Sequence, residues 1–337
     1  MKWTIRILAV LLVAQIALAV GLNYRGSEVS PGAAKVALLD VAKDRIDRVT
    51  IEGPDGEKVV LAHTKDGWQL PDRGNFPANG DKVDGMLDKL LAIKEGLPVA
   101  TSKGALERFS LSDDKFERRM TFANGDQTLA TLYFGTTQGA RQVHARHSDQ
   151  DAVYTVTFGT YEAPSYGDDW LDKKILQFPE TDIAAIDVDG LRLIPVATDK
   201  AAAGDKTETD KTATPAKPTW RLAEDTGGPP LNVAAADKLA GRIAALRIDS
   251  VLGTEAKPEY GLDAPVVSLS VARKDGDSDD YVLGKAADKD DYTLKVSSRP
   301  EYFHLTGYEA KGLIDAAARD ALLEIPSKKN DETASKT

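Results

Sequence analysis

Four histidines and no cysteine bound the metal and nucleophile chemistry open to this 337-residue chain. Without thiols there are no disulfides, thiolate metal sites or cysteine nucleophiles. Of His63, His144, His147 and His304, two fall together in His144-Ala145-Arg146-His147. On a strand, a spacing of three sends the two rings to opposite faces. The sequence nominates no further ligands, so the reading is exposed strand residues, with no metal and no cofactor. Asp168-Asp169-Trp170-Leu171-Asp172 sets carboxylates beside an aromatic ring. Such a pair does acid–base work only when a cleft shifts its pKa values. The plainer reading is a solvated helix start, acids near the positive end of the dipole and Trp170 as anchor. Gly135-Thr136-Thr137-Gln138-Gly139 follows a strand, but no Lys-Ser or Lys-Thr completes a phosphate loop, so it reads as a backbone turn. No Gly-x-Ser-x-Gly elbow occurs. The expectation is a protein without catalytic residues. Its possible ligand or partner contacts are Trp68, Trp220, Trp170, Tyr161 and Tyr308. Packing is the simpler role for the tryptophans, and packing and capping a helix for the two tyrosines. A carbohydrate-stacking platform would require Trp68 and Trp220 to be exposed.

These residues sit on an acidic chain: 43 Lys and Arg against 53 Asp and Glu give a net charge of −10. A nucleic-acid partner is not expected, because phosphate contacts need a basic face. Hydrophobic residues at 42% and charged residues at 28% are ordinary for globular domains, and the length suits about two of them.

Trp3 to Leu22 is almost wholly apolar, broken by Thr4, Arg6, Gln15 and Gly21. About 20 helical residues span a bilayer core of roughly 30 Å. Lys2 and Arg6 precede the densest apolar stretch, and the next basic residue is Arg25. The positive-inside rule then leaves the N-terminus in the cytoplasm and exports the body. A cleaved signal peptide ending at Ala17-Leu18-Ala19 competes with the uncleaved anchor. Either reading places the body outside the cytoplasm. The organisation expected is a transmembrane anchor at 1–24 and a linker at 25–37 before the body.

Comparing the chain with itself shows a tandem repeat. Leu38-Leu39 and Ile46-to-Gly53 match Ile175-Leu176 and Ile183-to-Gly190. Trp68-Gln69-Leu70 matches Trp220-Arg221-Leu222, and Asp81-to-Leu87 matches Asp237-to-Ile243. Phe109-Ser110-Leu111 pairs with Tyr260-Gly261-Leu262, Gly135 with Gly284, and Tyr161-Glu162-Ala163 with Tyr308-Glu309-Ala310. Ile175-to-Pro179 is matched to Leu322-to-Pro326. The units are about 38–179 and 180–326, the second carrying a disordered insertion at about 197–219 rich in Ala, Thr, Lys, Asp and Pro. A polar, disordered tail covers 327–337. In each copy alternating apolar runs predict strands, and Asp55-Gly56, Asp66-Gly67, Asn124-Gly125 and Asp275-Gly276 predict the turns between them. Val83, Met86, Leu87, Leu90 and Leu91 predict an amphipathic helix over about 80–94. Leu239, Ile243, Leu246 and Ile248 supply that face in the second copy. A short helix near Tyr161 and Tyr308 closes each unit. The fold class is α+β: two tandem repeats, each a mainly antiparallel sheet with one long amphipathic helix and a short closing helix.

With these features the chain resembles the bacterial family called domain of unknown function 4340. The resemblance is carried by the apolar N-terminal stretch, Leu38-Leu39 ahead of Ile46-to-Gly53, and Asp66-to-Leu70. Pro77-Ala78 before the Asp81-to-Leu91 helix, Phe109-Ser110-Leu111, Leu132-to-Gly135 and Trp170-to-Leu176 extend it. The second copy repeats it with Trp220-Arg221-Leu222, Tyr260-to-Asp263 and Tyr281-to-Gly284. Phe109-Ser110-Leu111-Ser112 departs from the more usual Phe-Gly-Leu-Asp, so a different loop is expected there. The resemblance implies association with ABC-transporter components of the gliding-motility type and carries no catalytic residues. The function expected is a non-enzymatic accessory subunit of an ABC-type transport or cell-envelope system. It would be held in the bacterial inner membrane by Trp3–Leu22 beside permease and ATPase partners. The alternatives are an anchored binder of an envelope polysaccharide or lipid, and a hydrolase using Asp168 and Asp169.

Overall fold

The computed structural model describes residues 37–139, 141–196, 219–224, 227–286 and 290–324. The apolar stretch Trp3–Leu22, the linker up to residue 36, positions 197–218 of the insertion and the tail 327–337 lie outside the described residues. Thr219, expected in the insertion, begins a strand. Among the described residues no helix is long and apolar enough to cross a membrane.

Two eight-stranded sheets follow one another along the chain, and every strand pairing in both is antiparallel. The first holds β1 (Arg48–Glu52), β2 (Lys58–Thr64), β3 (Gly67–Leu70), β4 (Phe76–Pro77), β5 (Arg118–Asn124), β6 (Gln127–Thr137), β7 (Gln142–His147) and β8 (Tyr154–Thr157). Its order is β4-β3-β2-β1-β5-β6-β7-β8. The second holds β9 (Ile183–Val188), β10 (Leu191–Val196), β11 (Thr219–Leu222), β12 (Ser250–Gly253), β13 (Val267–Arg273), β14 (Ser278–Lys285), β15 (Tyr292–Val296) and β16 (Tyr302–Leu305). Its order, β11-β10-β9-β13-β14-β15-β16-β12, repeats the first except at the ends. The alternation read at Ile46-to-Gly53 and Ile183-to-Gly190 is kept: Val49 and Ile51 face the core in β1, as Ile186 and Val188 do in β9.

Helix α1 (Gly80–Ala92) covers the first sheet with Val83, Met86, Leu87 and Leu90. A short α2 (Lys103–Arg108), which carries no apolar periodicity, lies on the other side with Leu106 packed against Leu111, Tyr133 and Val153. In the second repeat α3 (Val233–Ala244) buries Ala236, Leu239, Ala240 and Ile243. Leu246 and Ile248 are buried too, but beyond the end of α3. Both long helices start at asparagine: Asn79 accepts from the Lys82 N–H at 3.1 Å, and Asn232 from the Ala235 N–H at 3.1 Å. These caps, with Val83, Met86, Leu87 and Leu90 of α1 matching Ala236, Leu239, Ala240 and Ile243 of α3, fix the internal alignment. It places Asn79 on Asn232, three residues away from the pairing of Asp81 with Asp237. A three-residue slip is close to one helical turn, so apolar periodicity alone does not resolve it.

The closing segments need a similar correction. The Asn79 N–H donates to the Trp170 carbonyl at 2.7 Å, and the Asp172 N–H to the Pro77 carbonyl at 2.9 Å. In the second repeat the Asn232 N–H donates to Leu322 at 2.9 Å, and the Glu324 N–H to Pro230 at 2.8 Å. Trp170-Leu171-Asp172 therefore corresponds to Leu322-Leu323-Glu324, in place of the match with Ile175-to-Pro179. The closing helices also differ. Near Tyr161 there is a single 3-10 turn, Thr160–Glu162, whereas Tyr308 lies in α4 (Gly307–Ala317), followed by α5 (Arg319–Leu322).

One hydrophobic core runs from the first repeat into the second. Phe76 of β4 meets Phe303 of β16 edge to face at 6.2 Å, and the Phe178 N–H donates to the Ala244 carbonyl at the end of α3 at 3.1 Å.

Candidate functional site

The tryptophans read as possible contacts are core residues. Trp68 is 6% exposed and directs its indole N–H to Asp84 of α1 at 3.4 Å. Trp220, on the equivalent strand β11, is 2% exposed. Trp170 is fully buried, donates to the Pro164 carbonyl at 2.8 Å, and carries the Lys82 ammonium 4.8 Å above its ring. Burial holds the Lys82 pKa below the ordinary lysine value. A stacking platform on Trp68 and Trp220 is thus not available, because both rings are already covered. Tyr161 and Tyr308 do the opposite of what helix packing predicts: both are exposed. The ring of Tyr161 lies over Gly159, and Arg242 of α3 sits 5.3 Å from that of Tyr308.

His144 and His147 lie on opposite faces of β7, as their spacing requires, but neither is an exposed strand residue. His144 is buried, stacks on Phe109 at 4.1 Å, and its Nδ1 lies 2.9 Å from the Thr136 carbonyl. His147 meets Glu95 at 2.6 Å. Between them Arg146 is buried over the Tyr133 ring, bonded to the Leu111 carbonyl and paired with Asp113 at 2.5 Å. That pairing holds the Asp113 carboxyl below its usual range. Among the described residues no group of His, Cys, Asp and Glu is arranged to hold a metal ion.

Asp168 and Asp169 occupy a 3-10 turn, Gly167–Asp169, with Trp170 closing it. Asp168 pairs with Arg73 at 3.1 Å, and the Asp169 carbonyl accepts from Lys82 at 2.7 Å. Gly135 is not at a turn. It lies in β6, where a Cβ would overlap the Phe109 carbonyl oxygen, and Gly284 in β14 meets the Tyr260 carbonyl in the same way. The loop at Ser110 keeps the shape of its counterpart: Ser110 has φ 54° and Gly261 φ 66°. The expected departure at that position is a change of residue without a change of backbone.

Clefts among the described residues include three that each lie within one repeat. One of about 550 Å³ lies between α4 and β13, lined by Asp189, Pro265, Ile314 and Arg319. One of about 400 Å³ lies beside the β1–β2 turn, with Glu52, Glu57, Lys58 and Arg119 on its wall. There Arg119 bonds Glu52 at 2.5 Å and holds its carboxyl below the usual range. Asp168 and Asp169 line none of the three.

The third, of about 660 Å³, is the best candidate for a partner site. Its walls are the last turn of α1 with Ile93 and Lys94, and the strand β8 from Thr155 to Thr157. Lys89, Lys94 and Arg141 bring three cations to its rim, against the single carboxylate of Glu162. Glu162 bonds Lys89 and also accepts the Gly159 N–H at 3.3 Å, which fixes the 3-10 turn that presents Tyr161. The Glu162 hydrogen bond raises the Lys89 pKa, although Arg141 opposes it. On a chain of net charge −10 this is a locally positive cleft with an exposed aromatic ring beside it. Ala37 bridges Lys94, so the chain from the N-terminal stretch joins the body at this wall. Sequence reading found Tyr161 but not its neighbours. Lys89 and Lys94 form no motif with Arg141, some fifty residues further on, and only the antiparallel return of β7 and β8 beside α1 brings Arg141 to them.

A family model described as Domain of unknown function (DUF4340) matches residues 68–265, more than half of the chain and parts of both repeats. No curated protein and no solved structure matches it.

Proposed function

The chain belongs to the DUF4340 family, and from that premise we propose that it is a non-enzymatic accessory subunit of an ABC-type transport or cell-envelope system. Trp3–Leu22 anchors it in the bacterial inner membrane, and the two repeats stand outside the cytoplasm. The observation that carries this reading is the positive cleft between α1 and β8, at the wall where the chain from the N-terminal stretch joins the body. Fourteen residues separate Leu22 from Ala37. At about 3.3 Å each they reach at most roughly 46 Å, which keeps the cleft near the membrane surface and near anything spanning it. A partner supplies ATP hydrolysis, and the body supplies a surface. Affinity purification of tagged protein from native membranes in mild detergent, followed by mass spectrometry, tests this. Stoichiometric recovery of an ATPase with a multi-span membrane protein is the expected result. Recovery of the chain alone overturns it.

A further inference from the structure

We propose that the outer edge of β8 is a strand-addition site for an extended acidic segment of a partner protein, running antiparallel to β8. The proposal rests on the reading of this cleft as a partner surface. Its observation is a difference between the repeats at one equivalent edge.

In the second repeat that edge is covered from within. β12 pairs antiparallel with β16, Ser250 opposite His304, Val251 opposite Phe303 and Gly253 opposite Tyr302. The Asp249 N–H donates to the His304 carbonyl at 2.8 Å. In the first repeat the chain after α1 approaches β8 in the same way but pairs only at its start. The Val99 N–H donates to the Val153 carbonyl at 2.7 Å, and the Val153 N–H to Ala100 at 2.8 Å. Pro98 stands where Val251 stands in β12, and proline supplies no N–H to a ladder. The chain then turns away, leaving Leu97 74% exposed and Val99 52% exposed.

What remains is an open edge. Backbone groups alternate along a strand, so Thr155 and Thr157 present theirs on the same side as Val153, while Tyr154 and Val156 turn toward Ala145 and Val143 of β7. Among the described residues no strand pairs with Thr155 or Thr157 on that side. Such an edge is a template for another chain unless charge, proline or a covering loop blunts it. Here it opens into the cleft, whose three cations against one carboxylate select an acidic occupant. The covering stretch of the second repeat has that character: residues 248–255, Ile-Asp-Ser-Val-Leu-Gly-Thr-Glu, carry two acids and no base.

The test uses that stretch as probe. A fluorescent peptide of residues 248–255 is titrated with the full-length chain in detergent micelles, and anisotropy and amide exchange are read. Saturable binding with new protection at the Thr155 and Thr157 N–H groups is expected. Thr155→Pro removes one outward donor without breaking the ladder to β7 and should weaken binding about tenfold, the equivalent of one hydrogen bond. Should that variant fail to fold, Lys94→Glu with Arg141→Glu changes only exposed side chains and should abolish binding at low salt. No saturable binding to the unaltered chain, or binding indifferent to a folded Thr155→Pro and to the charge reversal, overturns the proposal. Repeating the membrane purification with Thr155→Pro separates the two readings. Partners recovered undiminished sink strand addition and leave the accessory subunit standing. The unaltered chain recovered alone sinks the accessory subunit, and the peptide titration still decides the edge.

Discussion

The two repeats share a sheet and differ in how they finish it. In the centre, β1–β5–β6–β7–β8 and β9–β13–β14–β15–β16 follow the same course, with the same glycine giving way to the same loop. At the rim the second repeat adds β12 to its edge and packs an eleven-residue α4 against α3. The first has a bridge at Ala100, a three-residue 3-10 turn and a buried tryptophan in those places. Even there the backbone lock between the asparagine cap and the closing segment survives, with Trp170 in one copy and Leu322 in the other. Divergence has gathered where backbone groups are not yet committed to a partner. The second repeat closes its edge with β12, and in the first no strand among the described residues covers the outer side of β8.

The sharpest way to break this equivalence is at its centre. Gly135→Ala and Gly284→Ala should each destabilise by about 3 kcal/mol or more, because the added Cβ meets backbone carbonyl oxygens that cannot move as a side chain would. Urea-denaturation midpoints measure both. Similar losses support one shared close approach; a tolerated Gly135→Ala would mean that the first repeat's loop packs differently from the second's.

A milder probe lies at the helix starts. Asn79→Ala and Asn232→Ala should cost about 1 kcal/mol each, by loss of the side-chain bond to an N–H of the first helical turn. The caps serve different helices, so the double variant should lose close to the sum. Thermal melts of the two single variants and the double one decide it. A helix indifferent to losing its asparagine would remove that residue as the marker of internal alignment.

What could be read in the sequence followed from local rules. Alternation at Val49 and Ile51, the Asn124-Gly125 and Asp275-Gly276 turns, and the apolar face of α1 each depend on neighbours in the chain, and each is found in place. The duplication was legible for the same reason. The register of α3 was harder: alanines supply three of its five buried positions, Ala236, Ala240 and Ala244, and alanine is a weak apolar signal. A short closing helix is expected near Tyr308, yet Leu313, Ala316 and Ala317 carry α4 onward. The candidate site was the least legible part. Tyr161 is legible as a possible contact, with helix packing as its simpler role, but it is exposed, and the cations around it come from α1, from the stretch just after it and from the loop before β7. An open strand edge has no sequence motif at all. Pro98 was its only trace, and its meaning depends on knowing that Val251 occupies the equivalent place.

Ser110 gives a smaller, oppositely signed test. A non-glycine residue in the left-handed region costs about 1–2 kcal/mol, and glycine returns part of that through its freer unfolded chain. Ser110→Gly should therefore stabilise the first repeat, by up to about 1 kcal/mol. The reciprocal Gly261→Ser should destabilise, since its Cβ would run into the Lys285 backbone. Denaturation midpoints moving in opposite directions are expected. A neutral Ser110→Gly would show that the side chain compensates the backbone locally.

The smallest expected effect lies at the covered edge itself. Asp249 precedes β12 and takes Lys173 at 3.2 Å from the segment joining the repeats, and His304 Nδ1 at 3.1 Å from β16. The other ring nitrogen of His304 meets Asp291 at 2.8 Å. In the first repeat the equivalent positions are Gly96 and Thr155, so this polar cluster belongs to the covered edge alone. Burial pushes the Asp249 pKa up, but the bonds from Lys173 and His304 outweigh it and hold the carboxyl below its ordinary value of 3.8. A carboxyl lowered in the folded state stabilises the fold above its unfolded pKa, and that stabilisation is lost as pH falls through the folded value. The window is therefore from about pH 4 downward. Asp249 is partly exposed, so solvent screening limits the gain to less than about 1 kcal/mol. Asp249→Asn should flatten the acid limb of a plot of urea midpoint against pH and leave the limb above about pH 5 parallel to that of the unaltered chain. Unchanged slopes below pH 4 would show that the cluster does not hold β12 to β16. Pairing through the backbone alone would then close this edge, which is the same chemistry proposed for an acidic strand on the open edge of β8.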